Sequence, residues 1–284
     1  RRITASLAPS DLRKAGIGFA LAIAAGNLAA SGQVPHQPLG SWWLAGELGL
    51  DGSIRGVPGM LAMAEAAAAA GGQGIAVAAA NAGEAGLVED LEVAGLATLT
   101  ELAALARGEA VPESPARPRP VPMAGLPDLA DLRGQPALRT GLEVAAAGGH
   151  GVLAVGPPGA GKSMAARRLP SILPELSRVE AIEVTKIASV AGRPPPDGQL
   201  AGRPFRAPHH TISAAGLVGG GSPPRPGEIT LAHRGVLFLD ELGEFARSSL
   251  EALRQPLEDG AVTIARARGA ITFPPRFQII AAAN

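Results

Sequence analysis

The sequence predicts an α/β protein with two domains, the second of which has a parallel sheet with helices on both faces. Its 284 residues exceed the length of most single domains. The stretch 108–127 contains six prolines, which remove amide donors and fix φ, so it is expected to be an extended linker. Beyond it, apolar strands alternate with glycine-rich loops and helical segments. These observations place one domain at 1–107 and the other at 128–284.

Composition limits the classes of function. Lys and Arg together number 25, as do Asp and Glu, so net charge does not indicate a nucleic-acid partner and any such contact needs a local patch. The absence of cysteine excludes a disulfide scaffold and a cysteine-ligated zinc site, and it fits a cytoplasmic location. The most apolar stretches, near 15–30 and 57–80, are rich in alanine and glycine and lie among charged residues. No membrane partner is therefore expected.

Patterning in the first domain predicts short helices and strands. The turn at Asp51-Gly52 favours a hairpin, and Gly71-Gly72 is expected to end a helix. The predicted helices are 13–31, 57–71 and 96–106, and the predicted strands are 44–50 and 74–80.

The two ends of the sequence suggest a fragment. The chain starts at Arg1 rather than at Met, without the layout of a signal peptide. It stops at the end of an apolar strand, 278–284. A domain that ends on a core strand is expected to be incomplete.

The most specific motif in the second domain is G-x-x-x-x-G-K-S, between an apolar strand at 151–155 and a helix that starts at Lys162. Its residues are Gly156, Pro157, Pro158, Gly159, Ala160, Gly161, Lys162 and Ser163. Glycines let backbone amides turn toward phosphate oxygens, and the helix amino terminus favours negative charge. Lys162 is expected to reach the β- and γ-phosphates, and the Ser163 hydroxyl is expected to bind Mg²⁺. The alternative is an ordinary glycine-rich turn with an exposed lysine. The motif and its context favour a phosphate-binding P-loop, with ATP and Mg²⁺ as the ligands.

A second element fits the same site. The apolar stretch 235–239 ends in Asp240 and Glu241, as a Walker B strand does. Asp240 is expected to hold Mg²⁺, and Glu241 to act as the hydrolytic base for the attacking water. The alternative is a pair of acids that cap the next helix. Asn284 ends another apolar strand, where its amide is expected to position the same water, or else to serve as a strand-end turn residue.

Several separated blocks carry a family resemblance. They include 203–211, which reads RPFRAPHHT, then 226–233, the Walker B strand and 254–258. In this order, over about 128–284, they closely resemble the magnesium-chelatase-like AAA+ proteins, in the ComM/YifB branch. The resemblance implies an AAA+ ATPase core. Members of this branch include a natural-transformation protein that acts as a hexameric branch-migration helicase.

The first domain resembles the amino-terminal domain of that branch, which has the α+β fold of the Lon protease domain (S5-type). The comparison places the nucleophilic serine of Lon at about Gly18 and its activating lysine at Leu61. Neither side chain can attack a peptide bond or accept a proton, so peptidase activity is not expected.

Assembly follows from the same resemblance. It implies a hexameric ring in which ATP lies between subunits and a neighbour supplies an arginine, for which Arg247 and Arg254 are both candidates. It also implies that Gln135, before the first helix of the core, lies on the adenine side of the nucleotide. The carboxy-terminal lid of the family is expected to lie beyond Asn284.

Arginines near the end of the chain suggest DNA binding. Alternation predicts a strand at 262–266 and a hairpin tip at 267–270, which in the resembled family faces the ring pore. Arg266 and Arg268 are candidates for contacts with DNA phosphates, in single-stranded or branched DNA. A solvated or inter-subunit hairpin is the alternative.

Three histidines, His209, His210 and His233, raise the alternative of a metal site. Adjacent histidines in a strand point to opposite faces, so a structural or subunit-contact role is favoured.

Three functions stay open at this point. The favoured one is a DNA-associated motor driven by ATP hydrolysis. The others are a magnesium-chelatase-type ATPase that remodels a partner protein, and a scaffold that binds ATP without turnover.

Overall fold

A computed structural model describes residues 3–4, 18–109, 127–196, 200–221, 224–266, 269–273 and 275–284. The chain forms two compact units. The first comprises residues 1–120 and 188–200, and the second comprises 121–187 and 201–284. The sequence did not separate 188–200 from the second domain. No helix within the described ranges is long and apolar enough to cross a membrane.

The first unit contains a three-stranded parallel sheet with the order β1-β4-β5, and an antiparallel hairpin of β2 and β3. Its strands are β1 Trp42–Ala45, β2 Glu47–Leu48, β3 Ile54–Arg55, β4 Gly74–Ala78 and β5 Glu92–Leu96. Its helices are α1 Ala20–Ala30, α2 Met60–Ala69, α3 Ala79–Ala85 and α4 Leu99–Ala106. The hairpin confirms the turn predicted at Asp51-Gly52, where Gly52 has φ 81°.

Both faces of this sheet are covered. All five residues of β4 are buried, and their side chains alternate between two clusters. Ile75 and Val77 pack with residues of α2 and α3, whereas Ala76 and Ala78 pack with Leu21 of α1 and with α4. A strand buried on both faces needs no polar alternation, which is why β4 is an uninterrupted apolar run.

The two positions compared with the Lon active site lie in this unit. Gly18 precedes α1, and a Cβ placed on it would contact Met63 and Val57. Leu61 is fully buried in α2. A buried hydrocarbon side chain cannot take a proton, and the lack of peptidase chemistry stays an expectation. The likeness to the Lon fold stays a prediction.

The second unit is organised around a four-stranded parallel sheet with the order β6-β13-β10-β7. Its strands are β6 Val152–Val155, β7 Phe205–Arg206, β8 Gly219–Gly220, β9 Arg225–Pro226, β10 Val236–Leu239, β11 Val262–Arg266, β12 Gly269–Phe273 and β13 Gln278–Ala283. Its helices are α5 Pro136–Gly148, α6 Lys162–Ala166, α7 Arg178–Val190 (whose last residues belong to the first unit), α8 Ala214–Val218, α9 Glu228–Leu231, α10 Arg247–Glu251 and α11 Arg254–Asp259. The predicted parallel sheet is confirmed.

Each face of this sheet has its own core. Val236 and Phe238 of β10 pack with Ile280 and with residues of α5 and α6 on one face. Leu237 and Leu239 pack on the other face with residues that follow β7 and β10 in the chain. Because the strands are parallel, the carboxyl ends of β6, β10 and β13 meet at one edge, where α/β proteins bind ligands.

A close backbone approach holds β10 in place, and it can be tested. Val236 N–H donates to Pro204 O at 2.8 Å, and a Cβ on the neighbouring Gly235 would collide with that carbonyl. We expect Gly235→Ala to lower the free energy of unfolding by about 1–3 kcal/mol, the usual cost of overpacking. The midpoint of urea unfolding measures this effect.

Gly141→Ala is the matched control, because Gly141 lies inside α5 with open space around it. Alanine is favoured over glycine in a helix, so this variant should gain about 0.5–1 kcal/mol. An equal loss of unfolding free energy in Gly235→Ala and Gly141→Ala would contradict the packing argument.

Candidate nucleotide-binding site

The P-loop lies where the sequence places it, between β6 and α6. Gly159 and Gly161 have φ values of 79° and 87°, a left-handed conformation that glycine adopts without strain. Gly156 N–H donates to Ala283 O at 3.2 Å, which ties the start of the loop to β13. The loop is therefore fixed against the neighbouring strand of the sheet.

Ser163 and Asp240 meet across this edge. The Ser163 hydroxyl donates to Asp240 Oδ2 at 2.6 Å, although the two residues are 77 positions apart. Ser163 is held by α6, and Asp240 follows the buried strand β10. Hydroxyl and carboxylate oxygens are the donors that Mg²⁺ prefers, and these two are close enough to bind the same ion. The donor set therefore fits the predicted metal site.

Lys162 and Asn284 also come together. Lys162 Nζ donates to Asn284 Oδ1 at 2.9 Å and to Pro157 O at 3.1 Å, and it is hydrogen-bonded to Gly156 O as well. Three oxygens thus hold the ammonium group inside the loop. The two polar residues predicted from separate motifs are in direct contact.

Glu241 follows Asp240 with a backbone that is uncommon for a residue with a side chain. Its φ and ψ are 53° and 52°, a left-handed conformation that costs energy outside glycine. Its N–H donates to Asp240 Oδ1 at 3.1 Å, and its carbonyl accepts from Glu244 N–H at 2.8 Å. The side chain is 55% exposed. The backbone is thus held while the carboxylate stays open to water.

His210 contacts this carboxylate, a contact that the sequence did not predict. His210 Nδ1 lies 3.1 Å from Glu241 Oε2, and the His210 ring meets Phe245 edge-on. The two histidines closely follow β7, and β7 pairs with β10, a pairing that only the structure shows. Residues after the carboxyl ends of adjacent parallel strands come close together.

The expected geometry of the histidines was wrong. His209 and His210 lie in a loop rather than in a strand, and their rings are 4.0 Å apart instead of on opposite faces. His233 is elsewhere, buried beside Glu183 at 3.1 Å. The three histidines do not converge, and no cluster of three metal-ligating side chains occurs within the described part of the chain.

The other candidate residues have separate positions. Gln135 precedes α5 with φ 51°, and its side chain makes no capping hydrogen bond. Arg247 and Arg254 are exposed on α10 and α11, each in an ion pair with a glutamate four residues later. Arg266 ends β11, opposite Gly269 in the predicted hairpin, which confirms the strand but not its role. Arg268 lies outside the described residues.

Comparison with known families covers most of the chain. The family described as magnesium chelatase, subunit ChlI, matches residues 128–284. A second family, subunit ChlI of Mg-chelatase, matches residues 1–81. The first match contains the P-loop and all residues of the edge described above.

Curated relatives match the whole chain. An uncharacterized protein, YifB, of Escherichia coli is 45% identical over 284 residues, which is 100% of this chain and 56% of the relative. An uncharacterized protein of Mycobacterium tuberculosis is 46% identical over 296 residues, covering 57% of its length. The competence protein ComM of Haemophilus influenzae is 45% identical and is also covered to 57%. The chain therefore spans about half the length of these relatives.

Solved structures show a weaker similarity. NtrX from Brucella abortus in complex with ADP is 22% identical, with a TM-score of 0.38 over 55% of this chain and 31% of that one. The complex of the same protein with ATP gives 23% identity and a TM-score of 0.38, over 54% and 32%. These scores are too low to carry an argument about function.

Proposed function

The chain belongs to the magnesium-chelatase-like family of AAA+ ATPases, in the ComM/YifB branch, and on this premise we propose that it binds and hydrolyses ATP to drive a motor acting on DNA. The hydrogen bond of 2.6 Å between Ser163 and Asp240 is the observation that carries the proposal. It joins the P-loop to the Walker B strand in the arrangement that phosphoryl transfer needs. The activity of the full-length protein belongs to the proposal, since the chain covers about half of its relatives.

Binding of ATP follows from the P-loop. Backbone N–H groups of the loop after Pro158 and the amino terminus of α6 can present positive dipoles to the phosphates. The Lys162 ammonium is held by neutral oxygens of the loop and by Asn284, from which it can turn to the β- and γ-phosphates. We place the adenine near Gln135, from the family resemblance.

Hydrolysis needs a base near the γ-phosphate. The Glu241 carboxylate follows β10, directly after Asp240, and is open to solvent, so it can accept a proton from the attacking water. Asn284 reaches the same edge and can orient that water through its amide. Bound at Ser163 and Asp240, Mg²⁺ would neutralise negative charge on the phosphates.

The action on DNA rests on the hairpin of β11 and β12 and on the relative named for competence. Arg266 is the last residue of β11, Arg268 follows two positions later in the sequence, and the sequence has no acid between Val262 and Phe277. Arginines at a hairpin tip can bind phosphates of single-stranded or branched DNA independently of base sequence.

Assembly is the second part of the proposal. A hexameric ring would place the hairpins around a common pore and would let Arg247 or Arg254 of a neighbour reach the nucleotide. Both arginines are exposed on short helices that follow the Walker B strand. We place this motor in the cytoplasm.

A magnesium-chelatase-type ATPase that remodels a partner protein is the alternative, because both matching families are described by subunit ChlI. The two functions differ in what stimulates ATP hydrolysis. A DNA motor responds to DNA, whereas a chelatase-type ATPase responds to a metal-insertion partner. An ATP-binding scaffold would show no turnover with either.

The hairpin tests the DNA function. We expect single-stranded or branched DNA to stimulate ATP hydrolysis by the full-length protein, and Arg266→Ala to weaken DNA binding for all sequences alike. The slope of log binding constant against log salt should become shallower by about one unit, the contribution of one phosphate contact. Release of phosphate measures the stimulation of ATP hydrolysis. Fluorescence anisotropy of labelled DNA at several salt concentrations measures the affinity and its salt dependence.

Arg107→Ala removes one positive charge from an exposed position in the first unit and serves as the control. It should leave DNA binding and its salt dependence unchanged. ATP hydrolysis that no form of DNA stimulates would contradict the motor function. If Arg266→Ala left the salt dependence of DNA binding unchanged, Arg266 would not contact a DNA phosphate.

A further inference from the structure

The second unit has a cavity at the end of the sheet opposite to the nucleotide edge. It has a volume of about 250 Å³ and lies at the amino ends of β10 and β13, where Gly235 and Gln278 line it. The carboxyl ends of the same two strands lead to Asp240 and Asn284. Since a strand rises about 3.3 Å per residue, the six residues of β13 separate the two places by roughly 20 Å. The cavity is therefore distinct from the nucleotide site.

Its floor is built from fixed groups. Gln278 Nε2 donates to Ala145 O at 2.9 Å and to His150 O at 2.7 Å. Ala145 lies near the end of α5 and His150 in the turn after it, so the Gln278 side chain ties the start of β13 to the end of this helix. Leu173 and Phe277 supply apolar wall. The cavity thus combines apolar surface with a rigid polar base.

Arg203 brings a positive charge to this cavity without a contacting carboxylate. Its Nε donates to Pro174 O and its Nη1 to Arg234 O, each at 2.6 Å. Both acceptors are neutral backbone oxygens. Burial lowers the pKa of Arg203 below its usual range, while Glu180 opposes this shift and Arg234 adds to it. The guanidinium is therefore partly withdrawn from water, and both of these hydrogen-bond acceptors are neutral.

Arg234, in contrast, is already paired. Its Nη1 lies 3.1 Å from Glu180 Oε1, and its Nε lies 2.8 Å from Glu183 Oε2. Its φ of 59° is left-handed, so the backbone is held in an uncommon conformation that aims the side chain at these carboxylates. Two carboxylates are thus engaged by one arginine.

His233 adds no charge. Its Nδ1 accepts a hydrogen bond from Arg276 N–H at 3.0 Å, so the ring proton is on Nε2 and donates to Glu183 at 3.1 Å. Burial lowers the pKa of His233, which keeps the ring neutral near pH 7. The histidine positions Glu183 and the backbone at Arg276.

The charges around the cavity do not balance. Arg203, Arg234 and Arg276 stand against Glu180 and Glu183, which leaves one positive charge in excess. Among the described residues, no carboxylate lies within ion-pair distance of Arg203 or Arg276. A half-buried guanidinium without a counter-charge favours an anion from outside.

We propose that this cavity binds a small organic acid, a carboxylate or phosphate group carried on a compact apolar frame. Arg203 and Arg276 provide the charge for the oxyanion, and Leu173 and Phe277 provide apolar surface for its frame. The volume is below the range of about 300–1,000 Å³ that holds drug-sized ligands, which selects a ligand of fragment size. Because the nucleotide edge is remote, the acid binds with the P-loop filled as well as empty.

Benzoate and phenyl phosphate are suitable probes, because they share the apolar ring and differ in the oxyanion. Each probe is titrated by isothermal calorimetry into protein that is saturated with Mg²⁺ and ADP. The bound ADP then keeps the probe out of the P-loop. We expect millimolar or tighter binding of at least one probe, and the stronger of the two identifies the class of acid. Arg203→Met should weaken binding by about tenfold or more, as expected for loss of a charge-assisted contact.

Arg276→Met is the second variant, because Arg276 is exposed and its loss is not expected to disturb folding. It should weaken binding of the same probe even if Arg203→Met does not fold. Arg225→Met, an exposed arginine on β9, and Lys162→Met, in the P-loop, should both bind the probe as the parent protein does. Failure of both probes to bind the parent protein overturns the proposal. So does binding that Lys162→Met abolishes and Arg276→Met leaves intact.

Discussion

Glu241→Gln is expected to lower the rate of ATP hydrolysis by about 10²–10⁴-fold while leaving ATP affinity nearly unchanged. Glutamine has the shape of glutamate but cannot accept a proton from water, so the variant should hold ATP without turning it over. The backbone at this position is fixed by contacts with Asp240 and Glu244 that do not involve the Glu241 side chain. Release of phosphate and binding of a fluorescent ATP analogue measure the two effects separately.

Glu244→Gln is the matched control, because Glu244 is exposed on the same turn and contributes only its N–H to the site. It should keep the parent rate. Hydrolysis by Glu241→Gln at the parent rate would show that another group is the base, and His210, whose Nδ1 lies 3.1 Å from Glu241 Oε2, is one candidate. A variant that loses both binding and hydrolysis would indicate damage to the loop instead.

The parts of the site that were predictable from the sequence are those that depend on short segments. A P-loop has its glycines, lysine and serine at fixed spacing within one short segment, so the motif at 156–163 can be recognised directly in the sequence. The strands that end at Asp240 and Asn284 are buried on both faces, and an apolar run that ends in a polar residue marks each one. The meeting of Ser163 and Asp240 then follows from the topology of parallel strands.

Contacts between distant segments were not predictable in the same way. His210 reaches Glu241 only because the loop after β7 leaves the sheet beside β10, and the sequence does not show which strands are neighbours. The ion pairs of Arg234 join residues about 50 positions apart. They depend on a left-handed backbone at an arginine, which sequence preferences disfavour.

Alanine-rich segments also obscured part of the first unit. The sequence predicted a strand through Ala80, whereas the strand ends at Ala78 and α3 begins at Ala79. Alanine side chains give no alternation that would separate a helix from a strand. The helix is fixed by long-range bonds: Asn81 accepts from Val57 N–H at 2.8 Å, and Glu84 accepts from Leu61 N–H at 2.7 Å.

Lys162→Met should weaken ATP binding by about 10- to 100-fold, the loss of one or two hydrogen bonds between charged groups. Methionine fills much of the space of the lysine stem but donates nothing to the phosphates. The change also removes the hydrogen bond of 2.9 Å to Asn284, so the amide loses its link to the loop. The effect should be larger for ATP than for ADP, because the ammonium is expected to contact the γ-phosphate.

Lys186→Met makes the same substitution in α7, outside the P-loop, and is the control for loss of one lysine. It should bind ATP and ADP with the affinities of the parent protein, as titration with fluorescent analogues can show. If Lys162→Met weakened ADP and ATP equally, the lysine would act on the β-phosphate or on loop structure alone. If Lys162→Met weakened the binding of neither nucleotide, the lysine would keep its hydrogen bonds to the loop oxygens in the nucleotide complex. Backbone amides would then hold the phosphates without it.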